Sequence, residues 1–253
     1  MKIRAFLGSF NLLKILVILM KKLYNKPMEN EYQRTSLLIG EEGIKKLQNA
    51  KVIVYGLGGV GSFAVEALAR AGIGHLVLVD NDVVDITNTN RQIIATSKTI
   101  GKDKVDVMRE RILEINPKII VETHKPEIGS NEEEFFDDTF DYVVDAIDTL
   151  STELRIIKRA KELNVKIITC TGAAKKLDPT KFEVADIYST SVCPVAKLLR
   201  KELKKLNIDS LKVVYSKEEP IKIEGNKLGS ISFVPSVAGL IMAGEVIKDI
   251  IKE

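Results

Sequence analysis

Cysteine and histidine are scarce in this chain, and their scarcity excludes several kinds of site. The 253 residues include two cysteines and two histidines. Cys170 and Cys193 lie far apart, and His75 and His124 stand at unrelated spacings. A structural zinc site needs four thiolate or imidazole ligands, so we expect no structural zinc. No disulfide framework is visible either, which is typical of a reducing compartment, and we expect the protein in the cytoplasm.

The two cysteines differ in their predicted surroundings. Cys170 follows an apolar stretch at residues 166–169, which predicts a strand and a small buried side chain. Cys193 precedes Pro194 in a polar stretch, and two interpretations stay open: an exposed, reactive thiol or an inert structural residue. Reactivity depends on a lowered thiol pKa, which a sequence does not reveal.

The chain also lacks an uninterrupted apolar run long enough to span a bilayer. Residues 236–252 predict a mostly apolar helix that packs inside the protein, because Glu245 and Lys248 interrupt it. Residues 12–20 are apolar but too short to span. They belong to an N-terminal extension, residues 1–27, which reflects either an upstream start codon before Met28 or a basic helix on a membrane surface. We expect no stable membrane partner.

Neither charge nor aromatic content is extreme. A net charge of +3 permits nucleic-acid binding without indicating it. The 6% of aromatic residues form no cluster of the kind that stacks single-stranded bases. Local basic runs at residues 175–176, 197–201 and 204–205 fit either phosphate contacts or solvated helix faces.

The residues that are present predict one large α/β domain over residues 28–253. The chain is 45% hydrophobic, which is enough for a substantial core. Strands and helices alternate, which favours a Rossmann-like, doubly wound, mostly parallel sheet with helices on both faces. Predicted strands are residues 51–55, 75–79, 119–123, 142–148, 166–169, 182–185, 211–215 and 229–233. Predicted helices are residues 60–71, 104–115, 152–163, 195–206 and 236–252.

A glycine-rich turn follows the first predicted strand. Gly56, Gly58 and Gly61 match the nucleotide-binding pattern, in which glycines permit a tight turn and a close approach of phosphate. Asp80 ends the next strand, where an acidic residue usually binds ribose hydroxyls. Up to this point a nicotinamide-dependent oxidoreductase fits equally well, and a turn with a purely structural role is the other alternative.

Charged and amide side chains after the second strand favour ATP over a dinucleotide. Carboxyl ends of parallel strands meet at one edge of a sheet, so residues distant in sequence can converge there. Arginine and lysine neutralise phosphate charge, and a carboxylate such as Asp148 is a suitable Mg²⁺ ligand. Ordinary surface charge explains Arg91 or Lys104 taken alone, but the whole set predicts a triphosphate site. The set comprises Asp80, Asp82, Asn88, Asn90, Arg91, Gln92, Lys104 and Asp148.

These residues resemble the ThiF/MoeB/HesA adenylating family, which is related to ubiquitin-activating enzymes. The resemblance runs from about residue 31 to the C-terminus and implies an adenylation fold that binds ATP and Mg²⁺. It implies catalytic roles for Arg34, Arg91, Lys104 and Asp148, with Asp148 holding the metal. The family pattern corresponds here to Gly56, Gly58, Gly59, Gly61, Asp80, Asp82, Asn88, Asn90, Arg91, Gln92, Lys104 and Asp148.

Within that family the chain is most similar to the branch that dehydrates threonylcarbamoyladenosine in tRNA. The similarity rests on segments at residues 34–40, 87–92, 115–117, 145–148, 177–180 and 229–236. It implies ATP-dependent cyclisation of a threonylcarbamoyl group on adenosine beside the tRNA anticodon. It also implies a homodimer in which Arg34 reaches the partner's ATP, and it leaves room for a cysteine-desulfurase or sulfur-acceptor partner.

Two further functions remain as alternatives. An adenylyltransferase that activates the C-terminus of a ubiquitin-like sulfur carrier shares the ATP site, but such family members usually carry two Cys-x-x-Cys pairs that hold zinc. A non-catalytic scaffold would not need the full set of charged residues. The dehydratase is therefore the expected function.

Overall fold

A seven-stranded sheet forms the centre of the protein in a computed structural model that describes residues 31–127, 130–223 and 228–252. The strands are β1 (Lys51–Tyr55), β2 (His75–Val79), β3 (Ile120–His124), β4 (Tyr142–Asp145), β5 (Lys166–Thr171), β6 (Phe182–Asp186) and β7 (Lys212–Ser216). Their order across the sheet is β3-β2-β1-β4-β5-β7-β6. All neighbours are parallel except β6, which runs antiparallel to β7.

Helices cover both faces of this sheet. The described helices are α1 (Gln33–Asn49), α2 (Gly61–Ala71), α3 (Lys104–Ile115), α4 (Leu150–Leu163), α5 (Pro194–Lys205) and α6 (Phe233–Ile251). Leu68 of α2, Met108 of α3 and Met242 of α6 share one core, whereas Ile156 of α4 and Leu199 of α5 share the other. The predicted doubly wound α/β fold is confirmed. None of the helices in the described ranges is both long and apolar enough to cross a membrane.

The central strands are apolar throughout because each of their faces is buried. Successive side chains of a strand point to opposite faces. Val52 and Val54 of β1 therefore enter the core with α2, and Ile53 and Tyr55 enter the core with α4. The same alternation fixes the register, with Val54 beside Leu78 of β2 on one side and beside Val144 of β4 on the other.

The strand order reverses between β1 and β4. From β1 the chain winds outward through β2 to β3, and it then returns to β4 on the other side. In an open α/β sheet this reversal leaves a crevice at the carboxyl ends of the two strands, where ligands bind. The glycine turn follows β1 and Asp148 follows β4, so both lie at that position.

The segment at residues 229–233 is not a strand, so that prediction is wrong. The Gly229 carbonyl accepts a hydrogen bond from Lys175 N at 2.9 Å, and the Ser230 carbonyl accepts one from Asn90 Nδ2 at 3.0 Å. The segment thus bonds to two loops instead of to a sheet. Helix α6 begins earlier than predicted, at Phe233, and includes Pro235 in its first turn, where a missing N–H costs nothing.

The N-terminal part of the chain adds one element beyond the predictions. Helix α1 precedes β1 and is kinked at Gly40, where φ is +73°. A positive φ is accessible to glycine at little cost. The predicted extension, residues 1–27, and the proposed start at Met28 lie outside the described residues.

Candidate active site

The glycine turn between β1 and α2 is packed so tightly that two of its glycines admit no side chain. A Cβ on Gly56, where φ is +84°, would lie 2.6 Å from the Ala146 carbonyl oxygen. A Cβ on Gly61 would lie 1.8 Å from the Gly56 carbonyl oxygen. Real Cβ atoms do not approach backbone this closely, so the turn requires glycine at both positions. The contact with Ala146 also fixes the turn against the segment that follows β4.

The middle of the turn is open by comparison. A Cβ on Gly58 would meet only Gln92 Nε2, at 3.9 Å, whereas one on Gly59 would meet Pro235 at 3.1 Å and Arg91 Cγ at 3.2 Å. Helix α2 begins just beyond, with no acidic residue in its first turn and no side-chain cap. Its positive end can therefore act on an anion that approaches the backbone at Gly58.

A buried lysine lies between two aspartates beside this turn. Lys104 Nζ is 2.6 Å from Asp82 Oδ2 and 3.8 Å from Asp80 Oδ2. Asp80 also accepts hydrogen bonds from Leu57 N at 2.6 Å and from Asp82 N at 2.8 Å, which ties the end of β2 to the glycine turn. Burial raises the pKa of Asp80 above its ordinary value, against the opposing effects of Lys104 and these two N–H groups. The Asp82 side chain is 64% exposed and can reach a ligand.

Residues 85–92 form a compact loop that places amides and a cation over the turn. Asp85 caps a short 3₁₀ helix at Ile86–Asn88 and receives a reciprocal contact from Asn88 Oδ1, which accepts from Asp85 N at 3.0 Å. Arg91 donates to the Thr87 carbonyl and to Asn90 Oδ1, each at 2.9 Å. Gln92 is buried, and its Oε1 has no hydrogen-bond partner within the described ranges. A buried amide oxygen without a partner indicates a ligand contact or an ordered water.

Two of the predicted catalytic side chains are exposed and have no polar partner among the described residues. Asp148 lies in the exposed segment after β4, and Arg34 lies exposed in the first turn of α1. Neither side chain has a hydrogen bond or ion pair to any residue that the structure describes. The structure therefore brings together the glycines, Asp80, Asp82, Arg91, Gln92 and Lys104 through direct contacts. It places Asp148 beside them through Ala146, but it does not bring Arg34 to the same cluster.

Residues that the sequence analysis did not select also shape the site. A Cβ on Gly239 would lie 2.1 Å from the Val60 carbonyl oxygen, so α6 packs directly against the start of α2. Ser230 and Pro235 hold the loop of Asn90 and Arg91 from the other side. The sequence offered one signal for this contact, which is Gly239 itself. A glycine inside an apolar helix often marks a close approach of another backbone segment.

A buried pair of carboxyl groups lies beneath the site. Asp145, at the end of β4, is fully buried, and Glu153 in α4 is 4% exposed. Asp145 Oδ2 accepts a hydrogen bond from Thr169 Oγ1 of β5 at 3.0 Å. Burial raises the pKa of Asp145, and burial together with the Asp145 charge raises the pKa of Glu153. The pair therefore keeps a proton at a pH where exposed carboxyl groups have lost theirs.

The cysteines and one basic run correct three expectations. Cys193 is 2% exposed, with its Sγ 3.9 Å from Thr171 Oγ1, so the interpretation as an exposed, reactive thiol is wrong. Cys170 is only partly buried as a residue, but burial still raises the pKa of its thiol. Lys176 is 3% exposed and donates to the Glu218 carbonyl, so it is neither solvated nor free to meet phosphate.

Metal ligands are sparse in the described part of the chain. It contains no group of three or more histidine, cysteine, aspartate or glutamate side chains that could hold a metal ion by itself. A Mg²⁺ ion that shares substrate phosphates needs only one or two carboxylates. The exposed Asp148 carboxylate, which has no hydrogen-bond or ion-pair partner among the described residues, fits such a shared ion.

The fold and the site together define a nucleotide-binding α/β protein whose cations and carboxylates surround a phosphate-binding turn. The model of the ThiF family matches residues 32–253. The chain therefore belongs to the ThiF family.

Within this family, the chain is similar to tRNA threonylcarbamoyladenosine dehydratases in both sequence and structure. A tRNA threonylcarbamoyladenosine dehydratase of Bacillus subtilis (strain 168) is 44% identical over 245 residues, which cover 89% of this chain and 96% of that protein. The structure of the Escherichia coli dehydratase TcdA in complex with AMP has a TM-score of 0.83 at 31% identity, covering 89% of this chain and 97% of that one. The same enzyme in complex with ATP has a TM-score of 0.81 at 32% identity, covering 88% and 94%.

Proposed function

We propose that this protein is an ATP-dependent enzyme that converts N6-threonylcarbamoyladenosine in tRNA, next to the anticodon, to its cyclic form. The observation that carries the proposal is the contact cluster of Lys104, Asp80 and Asp82 beside a glycine turn that is open at Gly58. Similarity to the Bacillus subtilis dehydratase along nearly the whole length of both chains supports the choice of substrate.

The reaction begins with activation of the threonyl carboxylate. Its oxygen attacks the α-phosphorus of ATP, and pyrophosphate leaves. The resulting acyl adenylate carries AMP in place of a poor leaving group. A neighbouring nitrogen or oxygen of the same threonylcarbamoyl group then attacks the acyl carbon, AMP leaves, and the ring closes with the net loss of water. The chemistry consumes no sulfur, so a cysteine-desulfurase partner would act outside this reaction.

The protein's part in this reaction is positional and electrostatic. The backbone at Gly58 and the start of α2 hold phosphate oxygens, and Arg91 neutralises negative charge that develops as pyrophosphate leaves. Lys104 is held by Asp82 and directs its charge into the same space. Asp82 and the Gln92 amide bind the nucleoside part of ATP. Fixed charges of this kind need no reorganisation when the reaction occurs.

Magnesium is the proposed metal, held by Asp148. The ion would neutralise phosphate charge, as it does in other enzymes that use nucleoside triphosphates. The Asp148→Asn variant keeps the shape and loses the charge, so its ATP affinity should depend less steeply on Mg²⁺ concentration. Calorimetric titration of ATP at several Mg²⁺ concentrations measures this, with exposed Asp138→Asn as the matched control. An unchanged Mg²⁺ dependence would remove Asp148 from the metal site.

The proposed active form is a homodimer in which Arg34 acts on the partner's ATP. Leu37 and Leu38, one turn beyond Arg34, are 82% and 87% exposed, and a second copy would cover them. Arginine suits this task because its charge is permanent and its planar fork matches phosphate oxygens.

Mixed dimers test the trans role of Arg34. Subunits with Arg34→Ala and subunits with Arg91→Ala, a change that should leave the fold stable, should each have little activity as homodimers. If Arg34 serves its partner, both lesions fall in one site of the heterodimer, the other site is intact, and activity returns. A mixture that stays inactive would show that Arg34 serves its own subunit.

The function itself is tested on tRNA nucleosides. Cells that lack the protein should accumulate linear N6-threonylcarbamoyladenosine in tRNA digests measured by mass spectrometry. The purified full chain with ATP and tRNA that carries the linear nucleoside should restore the cyclic form and release AMP. Reactions without ATP are the control. Unchanged nucleosides in the cells, together with no conversion by the purified chain, would refute the proposed function. The cytoplasm is the location that this substrate implies.

A further inference from the structure

Helix α5 carries an unbalanced row of positive charges on its solvent face. Ala196, Leu199 and Leu203 are fully buried against the sheet, which turns the opposite side of the helix to water. The helix contains five cations and one acid. The cations are Lys197, Arg200, Lys201, Lys204 and Lys205, and the acid is Glu202.

Two of these cations have structural partners. Lys205 pairs with Glu202 at 2.6 Å, and Arg200 donates to the Thr190 carbonyl at 3.1 Å. Within the ranges that the structure describes, Lys197 and Lys201 have no ion-pair partner. Lys204 has only a distant contact, 5.8 Å from the centre of the Tyr188 ring.

The three remaining lysines form one row, because side chains four and three residues apart share a helix face. We call Lys197, Lys201 and Lys204 the α5 lysine row. Like charges at this spacing repel each other and destabilise a helix slightly. Nothing that the structure describes compensates that repulsion, so an external anion is the natural partner.

The row starts close to the candidate active site. Cys193 caps α5, and its Sγ lies 3.9 Å from Thr171 Oγ1 at the carboxyl end of β5. Two residues earlier in β5, Thr169 binds Asp145 at the end of β4. Lys197 therefore lies about one helical turn from the edge of the sheet where the glycine turn is located. From there the row extends for roughly 10 Å, at about 1.5 Å per residue.

Two other exposed lysines of this half have acidic neighbours. Lys217 pairs with Glu183 at 2.6 Å, and Lys181 lies 4.0 Å from Asp178. On the same face of the sheet as α5, but beside β1 and β4, the 3₁₀ helix Glu132–Phe135 and Asp137 are acidic. A polyanion is thus repelled from one side of this face and attracted to the other.

We propose that the α5 lysine row binds the phosphate backbone of the tRNA whose modified base occupies the active site. This inference rests on the proposed function for the identity of the RNA. The threonylcarbamoyl group must be held at the site while it reacts, and contacts to the flanking phosphates fix the register of the strand. A row of about 10 Å is long enough to contact more than one phosphate of a strand.

The full-length Lys197→Gln/Lys201→Gln variant tests this surface. Lys118→Gln/Lys248→Gln is the matched control, since Lys118 precedes β3 at the far end of the sheet and Lys248 lies on α6 across it. The probe is tRNA that carries N6-threonylcarbamoyladenosine, with binding measured at several salt concentrations. The slope of log K against log salt should fall by about one per lysine. Affinity near 0.1 M salt should drop on the order of tenfold or more.

Kinetic measurements should show the same difference between the lysine variant and the control variant. The KM for tRNA should rise in the lysine variant, while kcat at saturating tRNA, the affinity for ATP and the melting temperature stay at the wild-type values. The control variant should match the wild type in every measurement.

Several outcomes would overturn the proposal. Equal tRNA affinity and equal salt slope in wild type and the lysine variant would do so. So would a loss of tRNA binding in Leu198→Ser, an exposed apolar neighbour of the row, without any loss in the lysine variant. A wild type that cyclises tRNA while the lysine variant is normal refutes the surface alone. A wild type that binds tRNA through the row but never cyclises it refutes the proposed function alone, and one that binds no tRNA refutes both.

Discussion

The two halves of the sheet are held together in different ways. In the nucleotide half, β1 to β4 with α2 and α3, consecutive parallel strands and short connections place the glycine turn and Asp80 side by side. In the C-terminal half, β5 to β7 with α5 and the start of α6, loops are tied to residues far along the chain. Lys175 alone binds Gly229 through its N–H at 2.9 Å and Ile221 through its carbonyl at 2.8 Å.

This difference explains why the structure of the first half is easier to predict from sequence than that of the second half. A tight turn leaves a local pattern, because Gly56 and Gly61 must be glycine for reasons that lie within a few residues or in the adjacent strand. A bond between Lys175 and Gly229 leaves no local pattern. The halves also differ in function. The first half contains the candidate phosphate-binding residues, and the second half forms the surfaces next to the site.

The largest expected effect separates chemistry from folding in the nucleotide half. Arg91→Ala should lower kcat/KM by at least ~10²-fold, the scale on which a charge-stabilising donor contributes. Its melting temperature should stay nearly unchanged, because the hydrogen bonds of Arg91 to Thr87 and Asn90 are exposed. Exposed Arg109→Ala is the control. Activity that merely follows the folded fraction would show that Arg91 is structural.

Lys104 should behave differently from Arg91, although the sequence analysis assigns the same catalytic role to both. Lys104 is 5% exposed and balances two carboxylates, so Lys104→Ala leaves Asp80 buried without its cation. Removing one partner of a buried ion pair destabilises a protein substantially. Thermal melts of Lys104→Ala should therefore fall together with activity, with exposed Lys102→Ala as the reference.

A pair of glycine variants sharpens the distinction within one turn. Gly61→Ala should destabilise the protein by about 1–3 kcal/mol, the usual cost of overpacking, because its Cβ would collide with the Gly56 carbonyl. Gly58→Ala should leave the free energy of unfolding within about 0.5 kcal/mol of wild type but weaken ATP binding, since only a ligand approaches there. Denaturant unfolding and ATP calorimetry measure both. Equal losses of stability in the two variants would contradict the assignment of Gly58 to the ligand.

The smallest effect tests the seam between the halves, where Asp145 of β4 meets Thr169 of β5. The pKa values of Asp145 and Glu153 are raised in the folded protein, so the unfolded chain releases these protons at lower pH. The free energy of unfolding should therefore fall as pH rises above the ordinary carboxyl range, until the folded pair ionises. Glu153→Gln removes one of these groups and should gain stability relative to wild type as pH rises from the ordinary glutamate pKa towards the raised folded-state pKa of about 9.

Exposed Glu162→Gln, on the same helix, is the control for that pH profile. Its stability should follow the wild-type curve at every pH. If the free energy of unfolding of Glu153→Gln has the same pH dependence as that of the wild type, the buried pair does not retain a proton in the folded protein.

Most of the fold and much of the site could be predicted because they depend on the periodic pattern of apolar residues and on short motifs. The apolar runs located six of the seven strands nearly to the residue, and the glycine turn identified the ligand edge. Helix α1 and the non-strand at residues 229–233 were missed because tertiary contacts determine them. Cys193 was open to two interpretations because burial depends on how Thr171 and Gly172 fold over it. The position of Gly239 inside an apolar helix indicated a close backbone contact, but the sequence did not show that the contact is with Val60.

The contact between Gly239 and Val60 has a consequence for the order in which the protein can mature. Helix α6 follows every other described helix in the chain, yet it covers the start of α2, which ends at Ala71. Synthesis at roughly 5–20 residues per second separates Ala71 from Phe233 by on the order of 10–30 s. During that interval the part of α2 that α6 covers has no final neighbour and is open to chaperones or to misassembly. A nascent chain halted before Phe233 should contain most of the phosphate-binding residues and still be unable to close the turn that uses them.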